Sequence, residues 1–311
     1  MSDEVVRADS LVKRFPGVVA VNAASFAVAR AEIFGIVGPD GAGKTTVMRM
    51  LAAVMKPDEG AIRIDGIDVL AQPEGIRQRV SYMPQRFGLY EDLTVDENIR
   101  FYADVFEVPR SLREERGARL LAASGMRDVG ARLAGQLSGG MKQKLGLTCA
   151  LIHAPKIVLL DEPTTGVDPV SRRDFWRILY GLREDGVTVV ISTAYLDEAE
   201  RCTRLALLHR GELRLCDTPE ALRKRLPGQM IVVASDAPER VQQVIASLPG
   251  VLGVRAVGDG VRAMVDDRSR RAVEIERALG AGGLGGARVE PAQASVEDVF
   301  LELLQAEQQE A

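Results

Sequence analysis

An α/β fold built around a phosphate-binding loop, followed by a smaller α+β domain, is predicted by three observations. Gly38-Pro39-Asp40-Gly41-Ala42-Gly43-Lys44-Thr45-Thr46 follows the apolar run at 33–37 and precedes a helical pattern. That is the strand–loop–helix context in which G-x-x-x-x-G-K-[ST] cradles phosphates. Ile157-Val158-Leu159-Leu160 is a continuous apolar run ending in Asp161-Glu162-Pro163, as expected of a strand buried on both faces. From about Pro227 the predicted order becomes β-α-β-β-α-β, the ferredoxin-like order.

Each element has its own signal. Residues 5–37 alternate apolar and polar in short runs around a turn at Pro16-Gly17, so antiparallel strands lead into the loop. A helix is expected over 45–55, stopped by Lys56-Pro57. Residues 61–65 and 69–70 read as a hairpin about Asp65-Gly66. Residues 92–133 are helix-rich, with breaks at Pro109 and Gly125; Phe101, Tyr102, Val105 and Phe106 fall at helical spacing there and read first as core. A helix after Ser138, the strand ending at Asp161, a helix over 174–182 and a strand over 187–192 give alternating α/β order. Residues 205–208 and 212–216 are closing strands, and Asp217-Thr218-Pro219-Glu220 starts a helix.

In the second domain strands are expected at 230–234, 251–257, 261–265 and 287–291, with helices at 238–248 and 268–279. Gly258-Asp259-Gly260 is a turn and 280–286 a flexible connector. A final amphipathic helix from Ser295 aligns Val296, Val299, Phe300, Leu303 and Leu304 on one face. The expected domains are 1–224 and 228–311.

The chemistry explains the loop's spacing. Gly38, Gly41 and Gly43 let backbone N–H groups turn inward around a phosphate, and the helix from Lys44 aims its positive end at the same anion. Lys44 is placed to reach the β- and γ-phosphates, and the Thr45 hydroxyl to ligate Mg²⁺. Asp161, at a strand's C-terminal end, can hold Mg²⁺, and Glu162 can polarise an attacking water. Between these halves lies Leu137-Ser138-Gly139-Gly140-Met141-Lys142-Gln143, which offers a hydroxyl, two unobstructed backbone N–H groups and a helix start. Ser138 serves equally well there as a helix N-cap.

These motifs, in this order, resemble the ATP-binding-cassette (ABC) ATPases over roughly residues 5–220, and the ending ASVEDVFLELL resembles ATP-binding subunits of drug-type ABC exporters. The resemblance implies a P-loop ABC ATPase domain with a mixed-sheet core, an antiparallel β subdomain and a helical subdomain that grips a membrane subunit. It implies that Ser138, Gly139 and Gly140 close over ATP bound to the opposite subunit. Gln85 matches the glutamine that reaches Mg²⁺ and the lytic water, Asp168 the loop that crosses the dimer interface, and Phe15 the aromatic that stacks on adenine. An aromatic at Phe15 could equally be core. The implied site is thus Glu162, Lys44 and Gln85 for catalysis, the loop 38–46 with Phe15, Ser138–Gly140, Asp161 and Asp168 for ATP, and Thr45, Gln85 and Asp161 for Mg²⁺.

One position departs from that family. Ala194 stands where a histidine usually contacts the γ-phosphate, and alanine cannot donate a hydrogen bond. Hydrolysis is then slow, or Tyr195, Thr193 or a partner subunit compensates.

Composition sets outer bounds. The 311 residues allow two domains. A formal net charge of −4 gives no electrostatic footprint for nucleic acid. No apolar run of about 20 residues is present to span a membrane. MSDEVVRADS lacks the basic-then-apolar layout of a signal peptide. Cys149, Cys202 and Cys216 stand apart, which argues for neither zinc nor a disulfide framework and fits a reducing cytosol. The expected partners are integral membrane permease subunits and a second ATP-binding subunit, identical or not, with the chain peripheral on the inner face of the cell membrane. Two alternatives stay open: an ATP-binding regulatory module with little turnover, and a soluble ABC ATPase acting on nucleic acid or ribosomes.

Overall fold

The structure is a computed structural model and describes residues 3–258 and 260–310; Asp259 of the expected turn lies outside them. The chain divides into two compact units, Met1–Thr218 and Pro219–Ala311. In the first, β1 (Glu4–Phe15) and β2 (Val18–Ala29) form an antiparallel hairpin that leads into β3 (Ile33–Val37). After α1 (Lys44–Leu51), β4 (Glu59–Ile64) and β5 (Ile67–Asp68) complete a four-stranded antiparallel sheet ordered β2-β1-β4-β5.

The remaining strands alternate with helices. They run α2 (Pro73–Arg77), β6 (Val80–Met83), α3 (Val95–Val105), α4 (Arg110–Ala123), α5 (Gly139–Leu151), β7 (Ile157–Asp161), α6 (Pro169–Glu184), β8 (Thr188–Thr193), α7 (Leu196–Ala199), β9 (Arg204–His209) and β10 (Glu212–Asp217). The resulting sheet is ordered β10-β9-β3-β8-β7-β6 and is parallel except for β10. Every residue of β3, β7 and β8 is buried, which is why these runs carry no polar alternation. One apolar core joins both sheets and α1, and a second lies among α3, α4 and α5.

The second unit holds α8 (Pro219–Arg223), β11 (Gln229–Ala234), α9 (Pro238–Ala246), β12 (Val251–Val257), β13 (Gly260–Val265), α10 (Arg268–Ala281), β14 (Arg288–Ala292) and α11 (Val296–Glu310). Its sheet order β12-β13-β11-β14, antiparallel throughout, is the ferredoxin-like arrangement. Val296, Val299 and Phe300 of α11 are buried, and Leu303 and Leu304 are half-buried, as the amphipathic pattern requires. No helix among the described residues is long and apolar enough to cross a membrane.

Several boundaries differ from the sequence expectation, each for a local reason. Helix α1 stops at Leu51 rather than 55. Ala53 adopts φ +54°, and the Ala53 and Val54 N–H groups turn back to Met50 and Arg49 carbonyls. This is a Schellman ending with alanine where glycine is usual, so it carries no sequence signal. Helix α6 begins at Pro169 rather than 174, because the Asp168 carboxylate caps the Val170 and Ser171 N–H groups. The second hairpin strand is Ile67–Asp68 rather than 69–70. Of the four aromatic and aliphatic positions expected as core in α3, Tyr102 and Phe106 pack on the helical core. Val105 is 57% exposed and Phe101 rests against exposed Tyr90 at 4.6 Å, because the buried stripe runs through Val95, Ile99 and Ala103 instead.

In the second unit, Asp298 at the start of α11 is a buried anchor. Its carboxylate accepts from Arg255 at 2.5 Å, from Arg262 at 2.7 Å, and from the Ser295 N–H and hydroxyl at 2.8 Å each. Burial pushes its pKa up, but the bonds from Arg262 and Ser295 outweigh that and hold it below the usual carboxylate range. The stabilisation is therefore present above the unfolded pKa and is lost as pH falls through the folded one. Asp298→Ala removes the shared carboxylate, leaving Arg255 with Glu297 and Arg262 with the Gln293 carbonyl as remaining acceptors. It should cost about 2 kcal/mol in urea denaturation followed by circular dichroism, and that cost should shrink as pH falls below about 4.

Candidate active site

The loop 38–43 joins the C-terminal end of β3 to α1. Gly43 sits at φ +104°, and a Cβ there would lie 2.3 Å from the Ala20 carbonyl oxygen. A Cβ at Gly38 would lie 2.1 Å from the Leu208 carbonyl oxygen. Only glycine fits either place, so the cradle's shape is fixed by backbone contact rather than by side chains. Gly41, at φ +77°, meets nothing and leaves its side of the loop open. Lys44 is 4% exposed, and its ammonium donates to the Gly38 and Pro39 carbonyls at 2.9 and 3.0 Å. It also pairs with Glu162 Oε1 at 3.0 Å.

Asp161 ends β7 beside β8, and the parallel register sets Ser192 opposite it. Ser192 donates to Asp161 Oδ1 at 2.7 Å, Thr45 to the same oxygen at 3.1 Å, and Tyr82 to Oδ2 at 3.2 Å. Burial, helped by the Asp161 charge, pushes the Tyr82 phenol up to about 12, so it remains a donor. Glu162 has φ +47°, a left-handed backbone that a non-glycine residue rarely adopts. Its N–H is fixed by the Ser192 carbonyl at 3.2 Å and hydroxyl at 3.0 Å. Its carboxylate accepts from Gln85 Nε2 at 3.1 Å and Thr165 Oγ1 at 3.4 Å.

These groups border a cleft of about 430 Å³ lined by Asp40, Gly41, Thr45, Gln85, Glu162, Thr165, Ala194 and Tyr195. Of the residues expected at the site, Asp40, Gly41, Thr45, Gln85 and Glu162 line it. Lys44 and Asp161 stand behind this lining, bonded to Glu162 and Thr45, and Ser138, Gly139, Gly140, Asp168 and Phe15 are not part of it. Ser138 caps α5, accepting from the Met141 N–H at 3.3 Å, and is exposed with Gly139. A Cβ at Gly140 would lie 2.5 Å from Ser171 in the first turn of α6, so this stretch packs against the helix that Asp168 caps. Phe15, at the end of β1, is 41% exposed with the Lys13 ammonium 5.8 Å above its ring, and is not a core side chain.

Sequence reading missed Ser192 and Tyr82 as holders of Asp161, and Thr165 as a partner of Glu162. Hydroxyls at strand ends carry no spacing motif, and only the register of β7 with β8 brings Ser192 into place. Cys149 and Cys202 are buried thiols and Cys216 is half-buried; all three are free.

The sequence pattern of the ABC transporter family matches residues 21–165. A probable multidrug ABC transporter ATP-binding protein of Escherichia coli, YbhF, is 40% identical over 98% of this chain, which spans about half (53%) of that relative's length. Coverage is nearly complete on both sides for the daunorubicin resistance ATP-binding protein DrrA2 of Streptomyces coeruleorubidus, with 33% identity over 97% of this chain and 96% of the relative. The Nod factor export ATP-binding protein I of Rhizobium sp. is 34% identical over 97% of this chain and 98% of its own. Among solved structures, an ATP-binding subunit of an ABC transporter superposes with TM-score 0.64 at 28% identity, covering 71% of this chain and 92% of the other. A dimeric ATP-binding cassette in a post-hydrolysis state with ADP and Pi gives TM-score 0.62 at 26% identity, covering 68% and 98%.

The Lys44–Glu162 pair generates a prediction. If Lys44 receives a phosphate of ATP, the phosphate must win it from that carboxylate, so Glu162→Gln should tighten ATP binding by about tenfold in isothermal titration. Unchanged affinity would mean that the pair does not compete with the ligand.

Proposed function

The chain belongs to the ABC transporter family of ATP-binding proteins, and on that premise we propose that it binds and hydrolyses ATP to drive an export complex. Two such chains, identical or not, would sandwich two ATP molecules and act on separate integral membrane permease subunits. One observation carries the reading: Thr45 and Glu162 line one cleft, with the phosphate-loop lysine Lys44 paired to Glu162 and Asp161 bonded to Thr45 directly behind them.

The chain's own groups divide the work. Backbone N–H groups of the loop around Gly41 and Gly43 and of the start of α1 receive the β- and γ-phosphates, and Lys44 turns from Glu162 to them. Glu162, released, orients a water and takes its proton as the water oxygen bonds to the γ-phosphorus and the bond to the β-phosphate oxygen breaks; ADP and phosphate leave. Gln85 holds Glu162 and, with Nε2 so used, keeps its amide oxygen for a cation. Thr45, Asp161 and Gln85 supply hard oxygen donors that suit Mg²⁺, which neutralises phosphate charge when bound. No cluster of three His, Cys, Asp or Glu residues that could hold a metal occurs among the described residues.

Ser138, Gly139 and Gly140 are exposed or face α6 rather than their own cleft, which supports closure over ATP held by a second chain. Asp168, capping α6 beside them, fits the crossing between subunits, and exposed Phe15 fits stacking on adenine. The export direction rests on the relatives named for daunorubicin resistance and Nod factor export. Coupling to permease subunits implies a cytoplasmic position, peripheral on the inner face of the membrane.

The test is ATP turnover by the purified chain as a function of its concentration. A shared site predicts a rate that rises faster than linearly, and a loss of about 100-fold in both Glu162→Gln and Ser138→Ala. A linear rate unaffected by Ser138→Ala would sink the shared site. Tight ATP binding with no turnover would favour a regulatory module.

A further inference from the structure

Of the side chains lining the cleft, three are hydrogen-bond donors already committed to carboxylates. Thr45 donates to Asp161, while Gln85 and Thr165 donate to Glu162. Lys44 is committed to Glu162 as well. The fourth donor, the Tyr195 phenol, has no hydrogen-bond partner for its hydroxyl among the described residues, and its neighbour Ala194 is exposed and adds no polar group. Phosphoryl transfer is accelerated by donors already aimed at the oxygens where charge accumulates. A donor that need not first surrender a carboxylate is the least costly to use.

The ring is also held. Thr193 Oγ1 accepts from the Tyr195 N–H at 3.0 Å and donates to buried Glu198 at 2.7 Å, fixing the turn between β8 and α7. The Arg172 guanidinium, on α6, stands 4.1 Å from the Tyr195 ring centroid. Such a cation–π contact restrains the ring's direction. Arg172 lies 3.7 Å from both Asp197 and Glu198. The Arg172 Nε and Glu198 Oε1 in that pair are both buried and both lack a hydrogen bond. An approach of well under 1 Å between α6 and α7 would join them.

We infer that Tyr195 donates its phenolic hydrogen to the terminal phosphate of the bound nucleotide, with Arg172 as its positioning residue. This rests on the cleft being an ATP site. It assigns to the wall at Ala194 a donor that comes from the next residue along.

The measurement is ATP and ADP affinity by isothermal titration in the Glu162→Gln chain, where ATP persists. A donor to the terminal phosphate affects ATP alone. Tyr195→Phe, which keeps the ring over Arg172, should weaken ATP by about tenfold or more and leave ADP unchanged. Arg172→Met should give a smaller loss in the same direction. Adding Ala194→His to the Tyr195→Phe chain, which restores a donor one residue away, should recover the ATP-to-ADP ratio. An unchanged ratio in Tyr195→Phe overturns the assignment, as does equal weakening of both nucleotides. Failure of hydrolysis in the parent chain would overturn the ATPase reading instead, since the ratio needs binding only.

Discussion

The parallel pairing of β8 between β3 and β7 is the constraint on which the site depends. In this register Ser192 lies opposite Asp161 and Thr193 opposite Val37, the last strand residue before the phosphate loop. One hydroxyl then holds the Asp161 carboxylate and the following N–H, and the next hydroxyl shapes the turn that carries Tyr195. A slip of one residue would turn Ser192 to the other face of the sheet and undo all three contacts. Full burial of β3, β7 and β8 makes that slip costly, because every apolar side chain would exchange faces.

Within that frame the site economises on charge. Lys44 is almost wholly buried, and without an anion its ammonium would be strongly destabilising. Glu162 and the Gly38 and Pro39 carbonyls satisfy it. The same carboxylate is thereby bonded to Lys44, Gln85 and Thr165.

Much of this was legible in the sequence. The loop 38–46, the strand ending at Asp161, the ferredoxin-like order and the apolar face of α11 all announce themselves through spacing and periodicity. What stayed hidden depends on geometry between segments distant in the chain. Ser192 and Tyr82 are ordinary strand hydroxyls until register sets them beside Asp161. The end of α1 was hidden because alanine occupies a left-handed position, and the start of α6 was overlooked although Asp168-Pro169 is a cap followed by proline. Phe15 and Val105 could not be separated into exposed and buried by pattern alone, since the side that faces the core is decided by the neighbouring sheet and helices.

The left-handed backbone at Glu162 is held through its N–H by the Ser192 carbonyl and hydroxyl, and neither contact involves the Glu162 carboxylate. Shape and chemistry at this position are therefore separable. A chain that loses the carboxylate keeps the backbone turn that Ser192 holds. If two copies share the site as proposed, the altered chain would enter the same assemblies as the intact one and stall them. Inheritance of such an allele would be dominant, whereas an allele that unfolds the chain would be recessive.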